Sequence, residues 1–297
     1  MPYIIENATI LRETRLNCQS ILTDGKVVSV VRENIPPYSY TKMTIEPFLM
    51  TPTYTILDGT LPKIPADEIT REIEARYLKK GCTTVLTFAE VEHERDLHAR
   101  VLEVEERLSG LPADYAIGIK IPLKTLNPSL LRECKKRKLP GVFVELDSIT
   151  RLDSIPWGRI REALFPYNCP LIPYIPYREE GVRKQLLAKW KKIMVQERIP
   201  SIQAELEEFT PLSSYVLNKL GMYPWRSSLM HNAELSYNLY KKEGIGIADE
   251  KSIFLFNSDN LLLTVQRGNI IRVGDKTDFA KGNGEYIKVK THSFFAI

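Results

Sequence analysis

Only four histidines (His93, His98, His231 and His292) and four cysteines (Cys18, Cys82, Cys134 and Cys169) occur in 297 residues. The cysteines lie far apart and form no CxxC pair, so a zinc ribbon or a disulfide framework is not expected; buried or free thiols are the simplest reading. No apolar run comes near the ~18–20 residues that cross a bilayer. The opening Met1-Pro2-Tyr3-Ile4-Ile5-Glu6 has no basic leader before an apolar core, so a cytoplasmic location and no membrane partner are expected. A glycine-rich phosphate loop, a serine or cysteine nucleophile elbow and a GxGxxG motif are all missing. That removes the common signatures of nucleotide binding and covalent hydrolysis. The net charge of +4 is too small to suggest a nucleic-acid partner. The densest basic runs, Arg132 to Lys138 and Arg183 to Lys192, carry apolar residues at helical spacing and read as solvated helix faces.

What is present is ordinary for a globular chain: 43% hydrophobic and 26% charged residues, in a length that accommodates one large domain or two smaller ones. Residues 3–10 and 19–31 are β-rich, and Asp24-Gly25 between two apolar runs is a hairpin signal. Ile35-Pro36-Pro37-Tyr38 breaks the pattern, and Met43 to Met50 is expected to be extended. From Pro65 the texture alternates. Helices are expected over Asp67–Lys80, Glu92–Leu108, Pro128–Arg137, Trp157–Phe165 and Gly181–Glu197, with strands over Cys82–Ala89, Tyr115–Pro122, Gly141–Leu146 and Leu171–Ile175. Ile56-Leu57 and Ser201–Leu206 are weaker strand candidates. Such alternation argues for parallel βαβ units. After Gly244 the pattern reads as β again, at Ser252–Asn257, Leu261–Val265, Gly268–Val273 and Tyr286–Val289.

Four places in this order resemble the metal-dependent amidohydrolases of the dihydroorotase, hydantoinase and N-acetylglucosamine-6-phosphate deacetylase kind. They are the paired strands around Asp24-Gly25-Lys26-Val27-Val28, the segment Lys79-Lys80-Gly81-Cys82-Thr83-Thr84-Val85, the segment Leu239 to Phe256, and Thr264-Val265-Gln266-Arg267-Gly268-Asn269-Ile270-Ile271. The resemblance implies an α/β fold: a distorted, incomplete β/α (TIM-like) barrel of residues 51–243, inserted in a small β-sandwich domain built from residues 1–50 and 244–297. The barrel is expected to be short, because fewer than 190 residues separate Pro52 from Leu239, whereas complete eightfold barrels with their helices take ~250.

The resemblance also implies where a metal would be held, and there the chain departs from the family. Where the family has Pro-Gly-Phe-Ile-Asp-x-His-x-His, this chain reads Met50-Thr51-Pro52-Thr53-Tyr54-Thr55-Ile56-Leu57-Asp58-Gly59-Thr60, with Pro52 and Tyr54 keeping the apolar frame. No histidine follows until His93. His93 and His98, taken as one helix, would stand about 140° apart around its axis, unable to share an ion from one face. Glu145 falls where hydantoinase-like members place a metal-bridging lysine.

The C-terminal ends of the strands, where barrel enzymes keep their chemistry, would present Asp58, Glu90, Lys120 or Lys124, Glu145, Asp147, Tyr174, Tyr177 and Glu205, with His231 on the approach to the closing segment. The candidate pocket is therefore Asp58, Glu90, Glu145, Asp147, Tyr174 and His231, with no catalytic residue, metal ligand or cofactor assigned. The function expected is that of a catalytically inactive amidohydrolase-like protein that binds a partner protein or small ligand. A homodimer is expected too, because an incomplete barrel leaves an apolar flank. The alternative is a divergent hydrolase using carboxylates, with or without one metal ion, at the barrel mouth.

Overall fold

The computed structural model describes residues 2–36, 39–177, 179–242, 249–278 and 284–292. Its first strand already branches the architecture. β1 (Tyr3–Arg12) pairs antiparallel with β2 (Arg15–Thr23) across a tight turn, and β2 with β3 (Val28–Arg32) across the Asp24-Gly25 turn. A register shift between Ile5 and Ala8, with Asn7 at φ +52°, bulges β1 and bends it. Its first half pairs in parallel with β4 (Thr41–Thr44), and Thr9-Ile10 pairs in parallel with β5 (Phe48–Pro52).

The chain then passes through Thr53 into a second sheet of five parallel strands: β6 (Tyr54–Leu57), β7 (Cys82–Glu90), β8 (Asp114–Pro122), β9 (Val142–Glu145) and β10 (Leu171–Tyr174), hydrogen-bonded in sequence order. It returns to the first sheet as β11 (Tyr237–Lys241), β12 (Leu261–Gln266), β13 (Asn269–Val273) and β14 (Lys276–Thr277), which continue from β5 as antiparallel neighbours. The outcome is a mixed α/β fold with a curled parallel half-barrel and a separate, mainly antiparallel sheet. The terminal strands form one branched sheet of nine strands.

The helices α1 (Ile69–Arg76), α2 (Leu97–Leu108), α3 (Pro128–Arg137), α4 (Ile149–Ser154), α5 (Trp157–Leu164) and α6 (Glu180–Gln196) follow the parallel strands in turn. Their apolar faces join the outward-facing strand residues Val85, Ile117, Ile119 and Val144 in the largest buried cluster. Local chemistry explains several boundaries. Asn127 caps α3 by accepting from Leu130 N at 3.0 Å, with Pro128 in the first turn. Gly81, at φ +77°, ends the turn after α1, and an added Cβ there would meet the Asn238 amide at 2.4 Å.

The inner face of the half-barrel is filled by the chain itself. Leu57, Leu86, Phe88, Ala116, Phe143 and Ile172 form one buried cluster with Ile202 and with Leu217 of a short helix, α7 (Ser214–Lys219). The segment 200–212 also reaches both edges of the parallel sheet. Leu171 N donates to Pro200 O at 3.0 Å and Ile202 N to Leu171 O at 2.9 Å, alongside β10. Phe209 N donates to Leu57 O at 2.9 Å and Leu212 N to Thr55 O at 2.8 Å, alongside β6.

Two expectations are corrected. Residues 252–256 of the expected strand 252–257 are helical, within α8 (Glu250–Phe256), because Asp249 caps the turn by accepting from Ser252 N at 2.7 Å. The preceding Leu239–Lys241 is part of strand β11; residues 243–248 between them, like Pro37-Tyr38, lie outside the described residues. Among the described residues Tyr286–Val289 forms no ladder beyond a single bridge to Tyr115. It runs across the starts of the parallel strands, with Tyr115 N donating to Glu285 O at 3.0 Å and Val289 N to Lys138 O at 3.0 Å.

A buried charge cluster ties these layers together. Asp114, at the start of β8, is 1% exposed. Its Oδ1 accepts from Glu285 N at 2.8 Å and Arg267 Nη1 at 3.1 Å; its Oδ2 accepts from Gln266 Nε2 at 3.2 Å and from Arg226. Arg226 also pairs with Glu234 at 2.7 Å and Glu285 at 3.0 Å. One carboxylate therefore joins the parallel sheet, the β12–β13 turn and the C-terminal segment.

Candidate functional site

At the mouth of the half-barrel, strand register sets the side chains in rows. Glu90 stands opposite Lys120, and Glu145 lies between Pro122 and Tyr174. Glu90 Oε1 accepts from Lys120 Nζ at 2.7 Å and from Lys63 Nζ at 3.1 Å. Those ammonium groups, Lys120 foremost, hold the Glu90 carboxyl below its ordinary range. The Lys120 ammonium also lies 4.7 Å from the Tyr174 ring centre and 5.3 Å from that of Phe88, within cation–π range. Glu90 and Tyr174 are thus brought together through Lys120, a residue of the protein that occupies the aromatic notch.

Asp58 follows β6, where the resemblance would put the paired histidines, and it is fully buried. Its Oδ1 accepts from Thr60 N at 2.7 Å, Thr60 Oγ1 at 2.6 Å and Leu61 N at 3.1 Å, and its Oδ2 from the Tyr77 hydroxyl at 2.5 Å. A carboxylate with four donors is a loop-building group. Glu208, which sequence reasoning missed, lies nearby: a Cβ added to Gly59 would be 2.8 Å from its Oε1. Burial, then the charge of Asp58, pushes the Glu208 carboxyl up. Asp147 pairs with Arg151 through Oδ2, and its Oδ1 is buried without a partner among the described residues. Glu205 is held by Ile175 N at 2.8 Å and Arg183 at 2.7 Å.

His231 does not join this group. Its Nδ1 bonds to the carbonyl of Ser29 in β3, on the other sheet. His93 precedes the helical residues that carry His98, so the two never share a helix. His292 is buried between Tyr167 O and Pro140 O at 3.2 and 2.9 Å, and burial lowers it to about 4. Among the described residues no three His, Cys, Asp or Glu side chains are placed to hold a metal ion. The Asp58 carboxylate after β6 faces its own loop, and His231 and His292 are bonded elsewhere.

A cavity of about 500 Å³ opens at the other end of β6, between the β1–β2 turn, Pro52 to Thr55, α7 and the start of α8. Arg12, Glu13, Tyr223, Ser227 and Glu250 line it. Glu13 is engaged, its Oε1 accepting from Ser214 N at 2.9 Å and Ser214 Oγ at 2.6 Å at the start of α7. Arg12 donates from Nη1 to Gln19 Oε1 at 2.8 Å and from Nη2 to Leu229 O at 3.0 Å. Its Nε is buried without a partner among the described residues. No motif marks this site in the sequence. Arg12 merely ends an apolar strand, and Glu250 reads as an ordinary acid in a first helical turn.

Burial pushes the Glu250 carboxyl up to about 7, with Arg12 pulling it down only in part. An acid raised in the folded state holds its proton more tightly there than when unfolded. Stability from this group therefore declines as pH rises from about 4.5 to 7, and the cost persists above that. We expect Glu250→Gln to melt above the parent at pH 8, by on the order of 2 kcal/mol, and to match it at pH 4.5. Thermal melts at the two pH values check this; an equal gap at both refutes it. His292 tilts the profile oppositely, withdrawing stability as pH falls from 6.5 towards 4.

No protein-family model and no curated protein matches the chain. Solved structures do. The chain resembles a D-hydantoinase from Bacillus sp. AR9 (TM-score 0.59, 11% identity, 98% of this chain and 100% of that one). It also resembles a dihydropyrimidinase from Brevibacillus agri NCHU1002 (0.54, 11%, 99% and 100%) and a triazine hydrolase variant (0.57, 11%, 94% and 96%). At these identities the shared property is the fold, which is amidohydrolase-like. Among the described residues no helix is long and apolar enough to cross a membrane.

Proposed function

We propose that this protein is an amidohydrolase-like fold that works by binding a small ligand or a partner protein, without metal-dependent hydrolysis. The observation that supports this reading is the bonding of Asp58. At the place where the resemblance calls for two imidazoles the chain offers one carboxylate, and both of its oxygens are engaged, Oδ1 by Thr60 and Leu61 and Oδ2 by Tyr77. A water of near-neutral pKa needs a divalent charge held by several ligands, and this end of β6 offers no such set.

Metal analysis of protein purified without chelator, together with turnover assays on cyclic amides and acetamido sugars, tests the reading. The expected result is metal well below one ion per chain and no turnover. A stoichiometric ion whose removal abolishes turnover overturns it. A second reading, acid–base hydrolysis by carboxylates at the mouth, draws on Glu208, whose raised carboxyl beside Asp58 suits a general acid. It requires turnover that Glu208→Gln abolishes.

A further inference from the structure

We infer that the cavity between the β1–β2 turn and α7 is a binding site for a small monocarboxylic acid, its carboxylate received by Arg12. Three observations carry this. The cavity is of ligand size, about 500 Å³. The Arg12 guanidinium is anchored by Gln19 and Leu229 O, yet keeps a buried Nε–H unpartnered. An anchored guanidinium in the cavity wall suits the planar, two-oxygen geometry of a carboxylate. The remaining lining mixes hydroxyls, including the Thr55–Ser227 pair at 2.7 Å, with the apolar surfaces of Leu212, Leu217 and Met230. That lining suits an organic acid with a partly apolar body.

Charge selects against a dianion such as phosphate. Arg12 and Arg15 are matched in the lining by Glu13 and Glu250, so a second negative charge on the ligand would have no cation left to balance it. The groups facing Glu250 electrostatically are Arg12 and Glu13 of the hairpin, Asp249 on its own helix, and Tyr54, Tyr223 and Tyr240. An anion beside Arg12 favours the protonated form of Glu250, so binding takes up a proton near neutral pH.

The inference rests on the binding reading above and gives it a place and a ligand class. It has its own test: metal or turnover at the mouth would overturn that reading without altering a titration that depends on Arg12. The test is calorimetric titration of the whole chain with hexanoate and benzoate, with hexanamide and inorganic phosphate as controls. We expect saturable binding of a carboxylate, at least tenfold weaker for the amide and for phosphate, and at least tenfold weakened in Arg12→Gln. Binding should also weaken between pH 6 and 8 in the parent but not in Glu250→Gln. Because Arg12 also anchors Gln19 and Leu229, Thr14→Trp serves as a second variant. It fills the cavity from an exposed turn and should abolish binding while leaving the melting temperature unchanged. Absence of saturable binding by either acid, equal binding of acid and amide, or undiminished binding in folded Arg12→Gln or Thr14→Trp overturns the inference.

Discussion

Asp114→Ala should be among the most damaging single substitutions in this protein, lowering unfolding free energy by about 3–5 kcal/mol. The carboxylate is 1% exposed and takes bonds from Arg226, Arg267, Gln266 and the Glu285 amide. Deleting it leaves a backbone N–H without its acceptor and takes the most buried carboxylate from two partly buried guanidinium groups, which keep Glu285 and, for Arg226, Glu234 as ion-pair partners among the described residues. Burial already pushes the neighbouring Glu234 up to about 7, against the pull of Arg226, so Glu234 is a poor substitute partner. Asp114→Asn keeps the shape and part of the bonding and should cost less than the alanine. Denaturant titrations of the three proteins measure the order. A loss below about 1 kcal/mol for the alanine would mean that the cluster behaves as an exposed ion pair and does not hold the sheets together.

Asp58→Ala should cost about 2–4 kcal/mol without changing metal content. The truncation leaves the Thr60 and Leu61 amides and the Tyr77 hydroxyl without their acceptor inside a closed loop. Asp58→Asn retains Oδ1 for the amides, and the Tyr77 hydroxyl can rotate to accept from the new amide, so it should cost less. Melting curves and metal analysis of both variants decide the role of this residue. A variant that stays fully stable but loses a bound ion would make Asp58 a ligand and not a loop-building group.

The half-barrel was legible because its signals are local. Gly81-Cys82-Thr83-Thr84 announces a strand after a stopped helix, and Pro128 announces the start of α3; both stand where expected, and β6 and β7 are parallel. Residues 252–257 misled, because an apolar run of that length suits a strand or a buried helical turn equally. The deciding bond, Asp249 to Ser252 N, is a property of the fold. The six-residue α7 was invisible for a related reason: its stability comes from Leu217 packing inside the sheet rather than from its own pattern.

The site was less legible. The position of Glu90 at a strand's end could be read, but not that Lys63 and Lys120 would neutralise it. Proximity in sequence to the closing segment suggested His231, yet its bond to Ser29 draws it to the other sheet. Arg12 and Glu250 come from opposite ends of the chain, and only the pairing of those ends creates the cavity between them.

The segment 200–212 has a consequence for solubility. A five-stranded parallel sheet with two open sides presents rows of unpaired amides and carbonyls, a template on which strands from other molecules can stack into aggregates. Here one stretch of the same chain bonds to Leu171 on one side and to Thr55 and Leu57 on the other. A protein with a shortened barrel thus guards both borders of its parallel sheet with a single strap, and loosening that strap would expose the two borders together.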